Sequence, residues 1–313
     1  MKEPVALAVD LGGTWLRAAG VDAARTVMHE YVVSVGERRG TEQVRAILRE
    51  AVGHVRECLR SSGRRIAVAG LSVPGLVDSE RGLIRFAANL GVSDLPVADL
   101  VQGLLGAPVI VENDVRAATW GEWRWGAGEG ADPFVYLNAG TGIAVGLMWG
   151  GRLLRGVGGA AGEIGHMPVV ADGDPCRCGG RGCLETVAGG WGIAARAVRL
   201  AAAAGMPLPE GAAAREVCEV AARGHPVAAQ VVRDAGDALG RAAIMLTRLV
   251  NPERIVLGGG LFAPGSPLVE AVRQCVEAHP LRDVPPPEVV VGRLGIRAGL
   301  LGAACLALEM LAA

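Results

Sequence analysis

Residues 162–185 read Gly-Glu-Ile-Gly-His, then a nine-residue loop, then Cys-Arg-Cys-Gly-Gly-Arg-Gly-Cys-Leu-Glu. His166, Cys176, Cys178 and Cys183 offer one imidazole and three thiolates, a full tetrahedral set for zinc with no position left for water. A closed site of this kind is structural, because the metal pins a Gly-rich loop too short to bury a core of its own. The Cys-x-Cys-x4-Cys spacing, with its histidine ten residues earlier, is not that of a two-knuckle ribbon. Cys58, Cys218, Cys275 and Cys305 stand singly in apolar stretches and read as small buried hydrophobes. Glu163 and Glu185 flank the loop and are not needed by the metal. Glu163 and His166 share a face of one helical turn. With Glu185 they suit a ligand rich in hydroxyls, or else they are solvated surface carboxylates.

Working outward, one device occurs twice. An apolar run over 5–9 ends at Asp10, followed by Leu-Gly12-Gly13-Thr14 and a second run over 16–21. Residues 134–137, then Asn-Ala-Gly140-Thr141-Gly142, then 143–149 repeat the pattern. Each copy reads as strand, glycine turn, strand, with glycines that admit a phosphate near the backbone and a threonine and amides that donate to it. Asp10, at a strand end, can hold a hydrated Mg²⁺. Either copy alone could be a plain hairpin. Two copies roughly a domain apart suit one polyphosphate held between two domains.

Helical spacing covers 41–60, a strand covers 65–71 and runs into Ser-Val-Pro74-Gly75, and a short helix covers 99–105. A buried strand over 108–111 ends at Glu112-Asn113-Asp114, before a helix over 115–125. Asp114 is either a catalytic group at a strand end or a helix N-cap. After the cysteines, helices are expected over 187–204, 214–222 and 226–250, then a strand over 254–257 and the turn Gly258-Gly259-Gly260. That turn resembles a dinucleotide fingerprint through Ala263, but no strand-end acid follows about twenty residues on. A glycine turn that lets an adenosine lie against a helix start fits better. A helix over 266–279, a strand over 288–291 and a helix from 297 complete the chain, and a hinge is expected within 114–125.

The chain has 313 residues, 47 of them glycine, and a net charge of −1, which gives an α/β profile with no basic footprint for nucleic acid or anionic membrane. Lys2 is the only lysine, so a Walker P-loop, a protein-kinase fold and a pyridoxal Schiff base all lack their essential residue. Only residues 1–4 precede the first strand, and no apolar run reaches the ~18 residues of a membrane span. Unpaired cysteines beside a metal motif point to a reducing cytoplasm.

These pieces together resemble the ROK family of sugar kinases and repressors, its bacterial glucokinases above all. The resemblance runs from Ala8 to the C-terminus. It rests on Asp10-Leu-Gly-Gly-Thr14, Val73-Pro-Gly75, Glu112-Asn-Asp114, Gly140-Thr-Gly142, Ala161-Gly-Glu-Ile-Gly-His166, Cys176 through Glu185, and Leu257-Gly-Gly-Gly260. It implies an actin-like ATPase (ribonuclease H-like) fold, with ATP and a sugar between two α/β domains. The first would span 1–114 with a terminal helix over 298–313 packed back on it, and the second 115–297. The resemblance makes Asp114 the general base and gives sugar hydroxyls to Asn89, Asn113, Glu163, His166 and Glu185. His166 would also ligate zinc through its other ring nitrogen. Gly12, Gly13, Thr14, Gly140, Thr141 and Gly142 would cradle phosphates, Asp10 would orient Mg²⁺, and Gly258–Gly260 would lie under the adenosine. Trp15, Val92 and Ala144 depart from residues usual in the family (Lys or Asn, Trp and Gly), and none of them removes a catalytic group. Glucose is the expected hexose. N-acetylmannosamine, N-acetylglucosamine, mannose and fructose kinases share the pattern, and polyphosphate is an alternative donor. Homodimers are common in the family. Family repressors carry an N-terminal winged helix, whereas the first phosphate strand here begins at Val5.

Overall fold

The computed structural model describes residues 4–209 and 211–312. Residues 1–3 with the lone Lys2, residue 210, and residue 313 at the expected end of the terminal helix lie outside it. The chain divides into two compact units: Met1–Gly126 with Arg155–Ala160 and Arg297–Ala313, and Ala127–Leu154 with Ala161–Ile296.

In the first unit, β1 (Val5–Leu11), β2 (Trp15–Val21) and β3 (Val27–Ser34) form an antiparallel meander. Helix α1 (Thr41–Ser61) buries Val44, Ile47, Leu48, Ala51, Val52, Val55 and Leu59, the stripe that its apolar spacing defines. Strand β4 (Ile66–Val73) then pairs parallel with β1. Short strands β5 (Leu76–Asp78), β6 (Leu83–Ala87) and β7 (Val92–Pro96) form a separate antiparallel sheet. Helix α2 (Val97–Leu105), strand β8 (Val109–Asn113) and helix α3 (Asp114–Trp125) follow, with β8 parallel to β4. The main sheet therefore runs β3-β2-β1-β4-β8.

The second unit repeats this plan. Strands β9 (Phe134–Ala139), β10 (Ile143–Trp149) and β11 (Arg152–Leu153) form the meander. After the cysteine loop come α4 (Leu184–Ala188), α5 (Gly190–Ala203), α6 (Ala214–Ala222) and α7 (Pro226–Val250). Strand β12 (Arg254–Gly258) pairs parallel with β9, and beyond α8 (Pro267–Ala278) strand β13 (Glu288–Val291) pairs parallel with β12. The order is β11-β10-β9-β12-β13. The repeat noted at the two glycine turns thus extends to whole sheets.

Helix α9 (Ala298–Ala312) belongs to the first unit. A Cβ at Gly70 would lie 2.0 Å from the Ala303 carbonyl oxygen, and one at Gly302 would lie 1.8 Å from that of Ala117. These two glycines let α9 lie directly against β4 and α3.

The helix expected over 187–204 is broken into α4 and α5. Gly189 is extended at φ −74° and ψ 155°, and a Cβ there would stand 2.7 Å from the Glu185 carbonyl oxygen. Among the described residues no helix is long and apolar enough to cross a membrane.

Candidate active site

In the first unit the site residues gather at the carboxyl ends of parallel strands, where open α/β sheets bind their ligands. Asp10 lies opposite Ser72 across the β1–β4 ladder and accepts a 2.7 Å hydrogen bond from its hydroxyl. Burial pushes the Asp10 carboxyl above its usual range, against the smaller opposing effects of Ser72 and Arg17. A cation beside it would restore the ionised form. The Gly12–Thr14 turn closes through Gly12 N to Trp15 O at 2.9 Å. A Cβ at Gly13 would sit 2.9 Å from Asn89 Nδ2, so Asn89, expected at the sugar, stands against the Gly12–Thr14 turn.

Asn113, not Asp114, caps α3. Its Oδ1 accepts from Val115 N (3.0 Å) and Arg116 N (3.2 Å), and its Nδ2 donates to Gly75 O at 3.0 Å. Asp114 occupies the first helical position, half-buried, where its Oδ1 also accepts from Val115 N at 2.9 Å and the carboxylate meets the positive end of the helix.

One network had only a faint trace in the sequence, the i,i+4 spacing of Glu112 and Arg116. Glu112 is 1% exposed and accepts from Arg116 Nε (2.6 Å), Arg155 Nε (2.8 Å), Ser79 Oγ (3.0 Å) and Asn113 N (2.9 Å). Burial alone would raise its pKa, but the two guanidiniums and the hydrogen bonds outweigh that and hold it low. Arg116 also donates through Nη1 to Gly159 O at 2.5 Å. The network fixes the strand end that carries Asn113 and Asp114, and it binds the Arg155–Ala160 segment to the same unit. Nothing in the sequence near Arg155 announces its partner 43 residues away.

In the second unit the cysteine loop and the second glycine turn form one constellation. The ligand atoms of His166, Cys176, Cys178 and Cys183 all lie within 4.8 Å of one another. Zn–S bonds of ~2.3 Å and a Zn–N bond of ~2.0–2.1 Å give tetrahedral edges of ~3.8 Å between sulfurs and ~3.6 Å between sulfur and nitrogen. Cys178 Sγ to Cys183 Sγ is 3.7 Å, and Cys176 Sγ to His166 Nδ1 is 3.6 Å. The donor set fits a tetrahedral cation. Burial first, and then Glu185 and the neighbouring thiols, push Cys176 up to about 12, so without a cation it keeps its proton. A bound divalent ion would displace it.

The imidazole stands between two carboxylates, with Nδ1 3.6 Å from Glu185 Oε1 and Nε2 3.8 Å from Glu163 Oε2. Glu163 and His166 are three residues apart across a 3₁₀ turn at Ile164–His166, where positions i and i+3 eclipse. Two glycines hold this turn against β10. A Cβ at Gly162 would stand 1.9 Å from Val145 O, and one at Gly165 2.1 Å from Ile143 O. Glu185 is 7% exposed, and a Cβ at Gly142 would stand 2.8 Å from its Oε2. Gly259, at φ 87°, packs against the same hairpin, its absent Cβ 2.4 Å from Ala139 O. The glycine triplet thus lies beside the hairpin that carries the Gly140–Gly142 turn, and its last residue opens a short 3₁₀ turn at Gly260–Phe262 before α8 starts.

The ROK family model matches residues 6–310, and the chain belongs to this family. The glucokinase of Halalkalibacterium halodurans is 33% identical over 307 residues, covering 94% of this chain and 92% of that protein. The N-acetylmannosamine kinase of Citrobacter koseri is 31% identical, covering 96% of this chain and 98% of that protein. A crystal structure of a ROK family glucokinase from Streptomyces griseus in complex with glucose and AMPPNP aligns with a TM-score of 0.82 at 31% identity, covering 97% and 99% of the two chains. The paired sheets and this likeness define the actin-like ATPase (ribonuclease H-like) fold, with two α/β units.

Proposed function

We propose that this ATP-dependent sugar kinase transfers the γ-phosphoryl group of MgATP to a hexose hydroxyl, with glucose yielding glucose 6-phosphate. The observation that carries the reading is the convergence of Glu163, His166 and Glu185 on one metal loop that also touches a Gly-Thr-Gly turn. Two carboxylates and an imidazole held this rigidly are a reader of vicinal hydroxyls. A glycine turn against Glu185 suits the phosphate that must meet them.

In this reading Asp114 accepts the proton of the attacking hydroxyl as its oxygen closes on phosphorus. Asn113 and Asn89 bind sugar hydroxyls, Asn113 with its side chain oriented by α3 and Gly75. Gly12, Gly13 and Thr14 and the turn Gly140–Gly142 donate backbone and hydroxyl hydrogens to phosphate oxygens, with Gly258–Gly260 under the nucleoside. His166 Nδ1 and the three cysteines would hold zinc, which would fix the tautomer and orientation of the imidazole and leave Nε2 for the sugar. Asp10 would hold Mg²⁺, which would supply positive charge against the phosphates. Most of the acceleration comes from positioning and charge neutralisation, as in phosphoryl transfer generally.

The division at Asp114 between an N-terminal α/β domain (1–114 with 298–313) and a larger zinc-bearing domain (115–297) is part of this proposal. A reducing cytoplasm, where the thiolates stay free for a metal, is the compartment it requires. A homodimer is also proposed. An exposed face of the second unit with Met167, Val169, Val170 and Met245 carries Asp237 and Arg241 one helical turn apart, a pattern that can complement itself about a two-fold axis.

The test is a coupled ADP-release assay with MgATP against glucose, mannose, fructose, N-acetylmannosamine and N-acetylglucosamine. Turnover with glucose establishes the proposed substrate. Turnover only with an N-acetylated sugar keeps the mechanism and moves the substrate. Silence on every sugar, with metal bound, refutes the proposal.

A further inference from the structure

The turn Gly140–Gly142 is tied to the start of α5. Gly190 N donates to Gly140 O at 2.9 Å, and Trp191 N donates to Thr141 O at 3.2 Å. These are the first two amides of α5, which have no carbonyl partner within their own helix, so bonding the turn sacrifices no helical hydrogen bond. The fit is tight. A Cβ at Gly190 would lie 2.8 Å from Gly140 O and 3.5 Å from Thr141 Cα.

The helix start is braced from the metal loop along two routes. Along the backbone, α4 begins at Leu184, one residue after Cys183, and the extended Gly189 passes directly into α5. Through side chains, Arg177, which lies between Cys176 and Cys178, sets its guanidinium 4.8 Å from the centre of the Trp191 ring. Neither Arg177 nor Trp191 is a metal ligand or a sugar contact.

We infer that Gly190 and Trp191 are positioning residues for the nucleotide-phosphate turn, braced through Arg177, so that the metal loop governs nucleotide affinity as well as sugar contact. This deepens the kinase reading and rests on it. The pathway lies wholly within the second unit.

The experiment is calorimetric titration of MgADP and, separately, of D-glucose into the zinc-loaded wild type, Gly190→Ala, Arg177→Ala and Arg177→Lys, with zinc content measured on each. Gly190→Ala pushes the Gly140 carbonyl by several tenths of an ångström, and the MgADP Kd rises on the order of tenfold. Arg177→Ala removes an exposed cation–π contact and raises it about two- to five-fold. Arg177→Lys, which keeps a cation over the ring, restores most of the affinity. Zinc content and the glucose Kd stay at wild-type values throughout, and in steady state the KM for ATP rises more than kcat falls. Arg177 is exposed, so its variants report even if Gly190→Ala fails to fold. An unchanged MgADP Kd in both folded variants overturns the inference, as does a glucose Kd that weakens in proportion. A wild type that binds no MgADP sinks the kinase reading itself, an outcome distinct from a binding wild type with indifferent variants.

Discussion

Replacing Glu112 by Gln tests the buried network under the strand end that carries Asp114. The carboxylate is 1% exposed and takes hydrogen bonds from four donors on Ser79, Asn113, Arg116 and Arg155. Arg155 is 44% exposed in its side chain, so its pairing is screened and contributes little. Arg116 is different, with a side chain 4% exposed and Nη2 already lacking a partner. Removing the negative charge leaves that guanidinium buried and uncompensated, which costs about 3–5 kcal/mol. At about 2–4 °C per kcal/mol for a unit of this size, the melting temperature falls on the order of 10 °C. Glu112→Gln/Arg116→Met removes both charges and recovers most of the loss.

The pH dependence has a definite sign. The pKa of Glu112 is held below its usual 4.5 in the fold, so its contribution is present above that value and lost as pH falls through the lower folded value. The gap between wild type and variant is therefore steady near neutrality and closes on acidification below about pH 4.5. Melts followed by circular dichroism across pH 3–8 measure it. A single variant within 2 °C of wild type at pH 7, or a double variant no better than the single, would refute the reasoning.

Asp114→Asn lowers kcat by roughly 10²–10⁴-fold while sugar binding persists, measured by calorimetry beside the kinase assay; equal loss of sugar binding would contradict that division of roles. Elemental analysis finds about one zinc per chain, and Cys178→Ser loses metal and activity together, so a fully metallated, fully active variant would reject the structural site. Asp10, whose pKa is raised from 3.8 by burial, adds stability at low pH that is lost as pH rises through the folded value. Asp10→Asn accordingly raises the melting temperature at pH 8 without Mg²⁺, with a gain that vanishes on acidification, and it abolishes turnover; a variant less stable at pH 8 would show that the buried charge is not the cost. Gly162→Ala, with φ 97° and a Cβ 1.9 Å from Val145 O, destabilises the metal loop by at least the ~1–3 kcal/mol of backbone strain and lowers zinc retention against a chelator.

The parts of the fold that were legible are those written in local pattern. The two glycine hairpins, the α1 stripe and the spans of α6, α7 and β13 follow from periodicity and turn chemistry over a few residues. Strands β5, β6 and β7 escaped because they are three to five residues long with little alternation, too short for a period-2 signal to rise above turn residues. The break at Gly189 escaped because nothing local marks that residue as extended, and only the fold shows a carbonyl there that leaves room for glycine alone. Asp114 stayed balanced between cap and base because adjacent polar residues can each cap a helix. Only the side-chain geometry shows that Asn113 does so.

The cysteine and histidine spacing, the paired glycine turns and the strand-end acid were determined by the sequence alone, because each depends on residues close in the chain whose chemistry is specific. The Glu112–Arg155 pair and the bond from α5 to the Gly140–Gly142 turn were decided only by the tertiary structure. They join residues about forty or more positions apart, and nothing in either local segment distinguishes the true partner from any other arginine or amide until the chain has folded.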